Sequence, residues 1–269
     1  MNNFERKYQN KIKISTQFKN GFGWQPDKIV REDAIYSSIF KEKLPPFDWR
    51  PYLPAEKERQ YNSQFCVNFS YTNCLETAHK KEYNNEINLS DRWSAVKSKT
   101  ALNGNTLKNV WNAGNNFGNI LEEQCKWLPE WLEEPERYWD EIQKLPESVD
   151  SLPALLAPNF SFVDTDLDSL KTALAHSPLN IGVMVGETWQ EDIITPPQTR
   201  YGGHAVELAY IDDCIYLYDS YPPFLRKMSL DYPILMAGSF RPLPEDWRKL
   251  NQKKCFFQKV ASYFNEIIR

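Results

Sequence analysis

The chain lacks most of the covalent and metallic props that small proteins lean on. Its 269 residues include five cysteines, Cys66, Cys74, Cys125, Cys214 and Cys255, an odd number with no CxxC spacing. That pattern argues against a disulfide framework or a structural zinc site, and no metal or organic cofactor is expected. No run of about 18 apolar residues occurs, and the opening MNNFERKYQNKIKI carries no apolar signal segment. A conventionally secreted or membrane-spanning protein is therefore not expected, and a cytoplasmic or phage-associated location is. Positive charge is not in excess either: 32 Lys and Arg face 36 Asp and Glu, for a net charge of −4. Neither nucleic acid nor an anionic membrane is an expected partner. Short basic stretches such as RKLNQKK (248–254) read as solvated faces.

What remains is an ordinary globular composition, 41% hydrophobic and 25% charged, long enough for one large domain or two lobes. Aromatics reach 14%, which suggests a wide aromatic core or an extended binding cleft. No repeat is visible. Residues 1–44 are polar, with GFGWQPDK (21–28) reading as turn and extended chain. FDWRPYLPAEKERQ (47–60) is broken by prolines. A helix runs from about Cys66 to Tyr83, begun by Ser63 or Gln64, with Tyr71, Cys74, Leu75 and Ala78 on one face. A second helix falls within 87–99, capped by Ser90 or Asp91. A third follows NGNT and stops near Gly114 or Gly118. Residues 127–149 read as short helices.

The second half changes character. DTDLDSLKTALAHSP (164–178) is a capped helix closed by Pro178. IGVMVG (181–186), GGHAVELAYI (202–211), CIYLYDSY (214–221) and ILMAGSF (234–240) read as strands, the middle two joined at Asp212-Asp213 as a hairpin. Helices followed by strands predict an α+β protein with two lobes.

The stretch QYNSQFC (60–66) sets Gln60 six residues before a cysteine at a helix start. A first-turn cysteine lies near unpaired backbone N–H groups and the positive end of the helix dipole, which favours the thiolate. A nucleophilic cysteine needs a base within hydrogen-bond reach. His79 lies thirteen residues along the same helix, roughly 20 Å away, and cannot serve. His176 ends a helix, where its charge complements the dipole. His204 follows Gly202-Gly203 at a strand start, open to a cleft. Antiparallel pairing brings Asp219 back toward it, where a carboxylate accepting the Nδ1 proton would fix the tautomer.

The order FDWR, Gln60, Cys66, helix, GGHAV, and a Tyr-rich strand ending in Asp-Ser resembles the papain-like cysteine peptidases. The likeness runs from about Leu44 to Tyr221 and includes KTALAHSPLNIGVMV (171–185). GFGWQPDK followed by LPPFDWR resembles the leader of divergent bacterial and phage-type members. The resemblance implies a two-lobe fold with a helical N-terminal lobe (about 45–150), an antiparallel β lobe (about 151–269) and the cleft between them. It implies Cys66 as nucleophile, His204 as base and acid, Asp219 as the orienting group, and Gln60 with the Cys66 N–H as oxyanion donors. Gly104, Asn105 and Gly203 are implied substrate-binding positions. The expected partner is a peptide or protein substrate, with residues 1–44 as an extension that lies across the cleft.

Several positions depart from the family. Val67 stands where a Trp is usual, Asp219 where Asn is common, and Tyr221 where a Trp shields the histidine. Ser63 replaces a cysteine, which removes the common lobe disulfide. These departures keep two other readings open. One is an inert papain-like binding or structural module with a virion or host partner. The other is a different Cys-His-Asp acyl-transfer enzyme, amidase- or transglutaminase-like.

Overall fold

A computed structural model of the chain describes residues 22–30, 33–36, 44–147, 149, 154–240, 243 and 247. Cys255 and the basic stretch 248–254 lie outside them. Six α-helices among the described residues are α1 (Cys66–Tyr83), α2 (Asp91–Lys97), α3 (Leu107–Phe117), α4 (Pro129–Glu133), α5 (Trp139–Gln143) and α6 (Leu167–Leu174). The strands are β1 (Phe160–Val163), β2 (Leu179–Gly186), β3 (Ile193–Ile194), β4 (Arg200–Ile211), β5 (Ile215–Tyr218), β6 (Leu225–Met228) and β7 (Ile234–Phe240). They form one sheet in the order β1-β7-β2-β4-β5-β6-β3. Every pairing is antiparallel except the short β3–β6 contact. The protein is α+β, with five of these helices before the sheet and α6 between β1 and β2.

Local chemistry explains the helix ends. The side chains of Ser90, Thr106 and Asp166 each accept a backbone N–H three residues on and start α2, α3 and α6. Gly118, at φ +70°, ends α3. α1 behaves differently. It begins at Cys66 after Phe65, without a side-chain cap, rather than at Ser63 or Gln64. Its expected apolar face is buried, but so is every residue from Cys66 to His79. α1 is a central helix clad on all sides, not an amphipathic surface one.

Two packings produce this. One side of α1 meets Trp24, Leu107, Val110, Trp111, Ala205 and Met236; another meets Ala95, Leu132 and Ile142 through Phe65 and Phe69. The far face of the sheet has its own core of Trp49, Leu174, Val183, Val206 and Leu217. The start of α1 is thereby pressed against the β4 strand that carries His204. No helix among the described residues is long and apolar enough to cross a membrane.

Candidate active site

Gln60, Cys66, His204 and Asp219 are all essentially sealed from solvent. Cys66 is the first residue of α1, so its N–H has no acceptor within the helix. His204 sits on β4, opposite Val183 of β2. Asp219 lies one residue past β5 rather than within it. Since Tyr218 pairs with Glu207, Asp219 reaches His204 on the diagonal.

The contact is a 2.8 Å hydrogen bond between His204 Nε2 and Asp219 Oδ1. The sequence expectation put the carboxylate on Nδ1; the structure puts it on Nε2. The reason is geometric: the ring enters from β4 with Nε2 toward the β5 side. Nδ1 has no hydrogen-bond partner, and Cys66 is near enough to the imidazole to act on its charge. Burial alone pulls the His204 pKa down. The Asp219 charge, its hydrogen bond and Cys66 together outweigh burial and push it up to about 9.

Gln60 is oriented from several sides. Its N–H donates to Ser220 O at 3.2 Å, its Nε2 donates to Ser63 O at 3.0 Å, and its Oε1 accepts from Ser220 Oγ. The Tyr221 phenol also hydrogen-bonds Gln60, and its hydroxyl donates to Tyr61 O at 2.6 Å. Ser63, which stands in place of a family cysteine, thus holds the Gln60 amide. His79 bonds Asn85 O at 3.0 Å, and the His176 ring lies tilted against Tyr36, 6.0 Å between centres, so both lie away from the site.

Gly104, Asn105 and Gly203 line a groove already filled by the chain's own residues 22–25. Trp24 N donates to Gly203 O at 3.0 Å, Gln25 N to Asn105 O at 2.8 Å, and Asn105 N to Gly23 O at 2.8 Å. The last two form a parallel bridge. Phe22 lies edge-on to His204, ring centres 5.4 Å apart. The Trp24 indole is buried where a Cβ on Gly182 or Gly203 would collide with it. Asp27 anchors the far end by accepting the Leu107 and Lys108 N–H groups at the start of α3, at 3.1 and 2.9 Å.

Known structures share this arrangement of helices and sheet. Xylellain, a cysteine protease from Xylella fastidiosa, superposes with a TM-score of 0.65 at 19% identity, over 86% of this chain and 99% of its own. The Carica candamarcensis cysteine protease CMS1MS2, in complex with E-64, gives 0.59 at 14% identity, over 75% and 100%. Procathepsin L 3 from the Tenebrio molitor larval midgut gives 0.57 at 15%, over 78% and 73%. The chain has the papain-like fold. No family model matches the sequence, and no curated protein matches it.

Two residues around Asp219 went unseen in the sequence. Trp189, on the turn Glu187–Gln190, stands edge-on to His204 at 5.5 Å, with its Nε1 3.3 Å from Asp219 Oδ2. Arg226 on β6 binds the same Oδ2 through Nε at 2.7 Å. Neither has a sequence signal. Both reach Asp219 only once the sheet has formed.

Proposed function

We propose that the protein is a cysteine peptidase that hydrolyses peptide bonds through Cys66. The observation that carries this reading is His204, hydrogen-bonded to Asp219 through Nε2, with Cys66, the first residue of a buried helix, near enough to act on the charge of the imidazole. His204 takes the Cys66 proton, and the thiolate attacks the substrate carbonyl carbon. The oxyanion of the tetrahedral intermediate is met by the Gln60 amide and the Cys66 N–H, donors worth roughly 3 kcal/mol each. His204 then protonates the departing amine. An acyl-enzyme remains, and water attacks it with His204 as base. Asp219 keeps the ring in orientation throughout.

The domain reading follows: residues 45–269 form the peptidase unit, and the preceding segment is its own cleft-covering restraint. Residues 22–27 occupy backbone donors and acceptors that an extended peptide would need. The similar structures include a procathepsin and a protease in its proform, which fits a restraining segment.

The test is iodoacetamide labelling across pH 4–9, read per cysteine by mass spectrometry, with His204→Ala and a chain lacking residues 1–44 alongside. Cys66 should react fastest of the five, most of all without the segment, and below pH 7 the His204 variant should lose that advantage. If Cys66 stays as slow as Cys74 even without the segment, the inert binding module is the better description. Loss of residues 1–44 should also raise turnover of a peptide substrate; unchanged kinetics would count against a restraint.

A further inference from the structure

Asp219 is held by more than His204. The Arg226 guanidinium, 3% exposed, uses its whole fork inward. Nε binds Asp219 Oδ2 at 2.7 Å, Nη1 binds Trp189 O at 2.9 Å, and Nη2 binds Pro222 O at 2.7 Å. Its carbon also lies 5.7 Å from the centre of the Trp189 ring. One arginine thus ties together the carboxylate, the turn that carries the shielding indole, and the turn that follows Asp219. A buried carboxylate without a counter-charge is costly, whereas a hydrogen-bonded pair carries no net charge. His204 therefore meets an acceptor whose charge is already partly offset from the other side.

We propose that Arg226 is a positioning residue: it clamps Asp219 and Trp189 around His204 and offsets part of the charge that Asp219 presents to the imidazole. This rests on reading Cys66 and His204 as a working pair. The groups that face the imidazole are Cys66 from α1, Asp219 and Tyr221 after β5, and the uncharged rings of Phe22 and Trp189. Arg226 enters from β6 behind Asp219, and Arg59 acts on Tyr221.

The experiment is an NMR titration of the imidazole nitrogens in the full-length, histidine-labelled protein. It compares the native chain with C66S, R226M, R226K, D219N and D219N/R226M. Removing the like charge behind Asp219 should raise the His204 midpoint in R226M by about one unit, while R226K stays with the native chain. D219N should lower it, because the guanidinium then stands unopposed, and D219N/R226M should bring it back up. If R226M titrates with the native chain while merely melting earlier, Arg226 is structural only and the proposal is overturned. The double variant keeps the test alive if R226M does not fold, because it buries neither charge. A double variant that titrates with D219N also overturns the proposal. The C66S arm isolates the underlying reading: if it leaves the His204 curve unmoved, the Cys66–His204 pairing has failed, whatever Arg226 does.

Discussion

Two buried charged regions flank α1, and they are built on opposite principles. On the β side, Asp219 sits between His204 and Arg226, so each charge has a partner. On the helical side, Glu58, Glu76, Asp91, Glu122 and Glu207 crowd together, and no Lys or Arg among the described residues forms an ion pair with them. Their partners are neutral. Leu89 N donates to Glu76 at 2.6 Å, Trp127 N to Glu122 at 2.8 Å, Thr77 Oγ1 to Glu207 at 3.2 Å, and Asn88 Nδ2 to Glu58 at 2.9 Å. Thr72 donates to Asp91, which also shares a hydrogen bond with Glu58. Burial first raises the pKa of Glu58, Glu76 and Asp91, and repulsion from neighbouring carboxylates adds to it, from Glu56 in the case of Glu58. Burial also pushes Glu122 and Glu207 up to about 8, with Glu58 adding to the effect at Glu122. In one region opposite charges face each other; in the other, carboxyls face mainly uncharged donors and one another, and burial disfavours their charged form.

The sharpest way to break this contrast is to unbalance the paired region. Asp219→Ala leaves the Arg226 charge buried alone and should cost about 3–5 kcal/mol in urea unfolding at pH 7. A loss near zero would mean that water reaches the guanidinium and the pairing is not what keeps it there. The acidic region should respond to pH instead. A carboxyl whose folded pKa is raised supports the fold fully below its unfolded value, and that support is lost as pH rises through the folded one. For Glu122 and Glu207 the window runs from 4.5 to about 8. Unfolding free energy should fall across it by on the order of 1 kcal/mol per pH unit. Glu207→Gln should flatten the decline and be harmless or stabilising at pH 8; an equal slope in that variant would refute the protonated cluster.

Asp27 offers the smallest effect and an intermediate case. It is a single carboxylate with N–H donors and nearby Lys108, yet burial still carries its pKa up to about 6. Docked, it holds its proton more tightly than when free, so the segment's grip is firmest in acid and loosens as pH rises toward 6. Hydrogen exchange at the Trp24 and Gln25 amides should lose protection over that range beyond the intrinsic rate change. Asp27→Asn should remove the extra loss, and if it does not, another group holds the anchor.

The fold was largely legible because its signals are local. Ser90, Thr106 and Asp166 mark helix starts, ILMAGSF marks β7, and the Asp212-Asp213 turn brings β4 and β5 together. The spacing of Gln60 from Cys66, and the glycines before His204, singled out the residues that meet. Other features were invisible for a physical reason. Which imidazole nitrogen faces Asp219 depends on the angle at which β4 presents the ring. Trp189 and Arg226 belong to segments with no motif, and they matter only through contacts made across the finished sheet. Burial of α1 on every side was hidden because Asn68, Ser70, Thr72 and Thr77 are polar and give no sign of burial by themselves; in the structure they make internal hydrogen bonds.

Trp24 lies against the backbone of Gly182 and Gly203, so on that side its groove takes its width from backbone rather than from side chains. Side-chain walls can swing inward when a guest departs, by changing rotamer. Backbone held in a β ladder has no comparable freedom. An emptied groove would therefore keep its width, and an incoming chain would find a seat that needs little rearrangement.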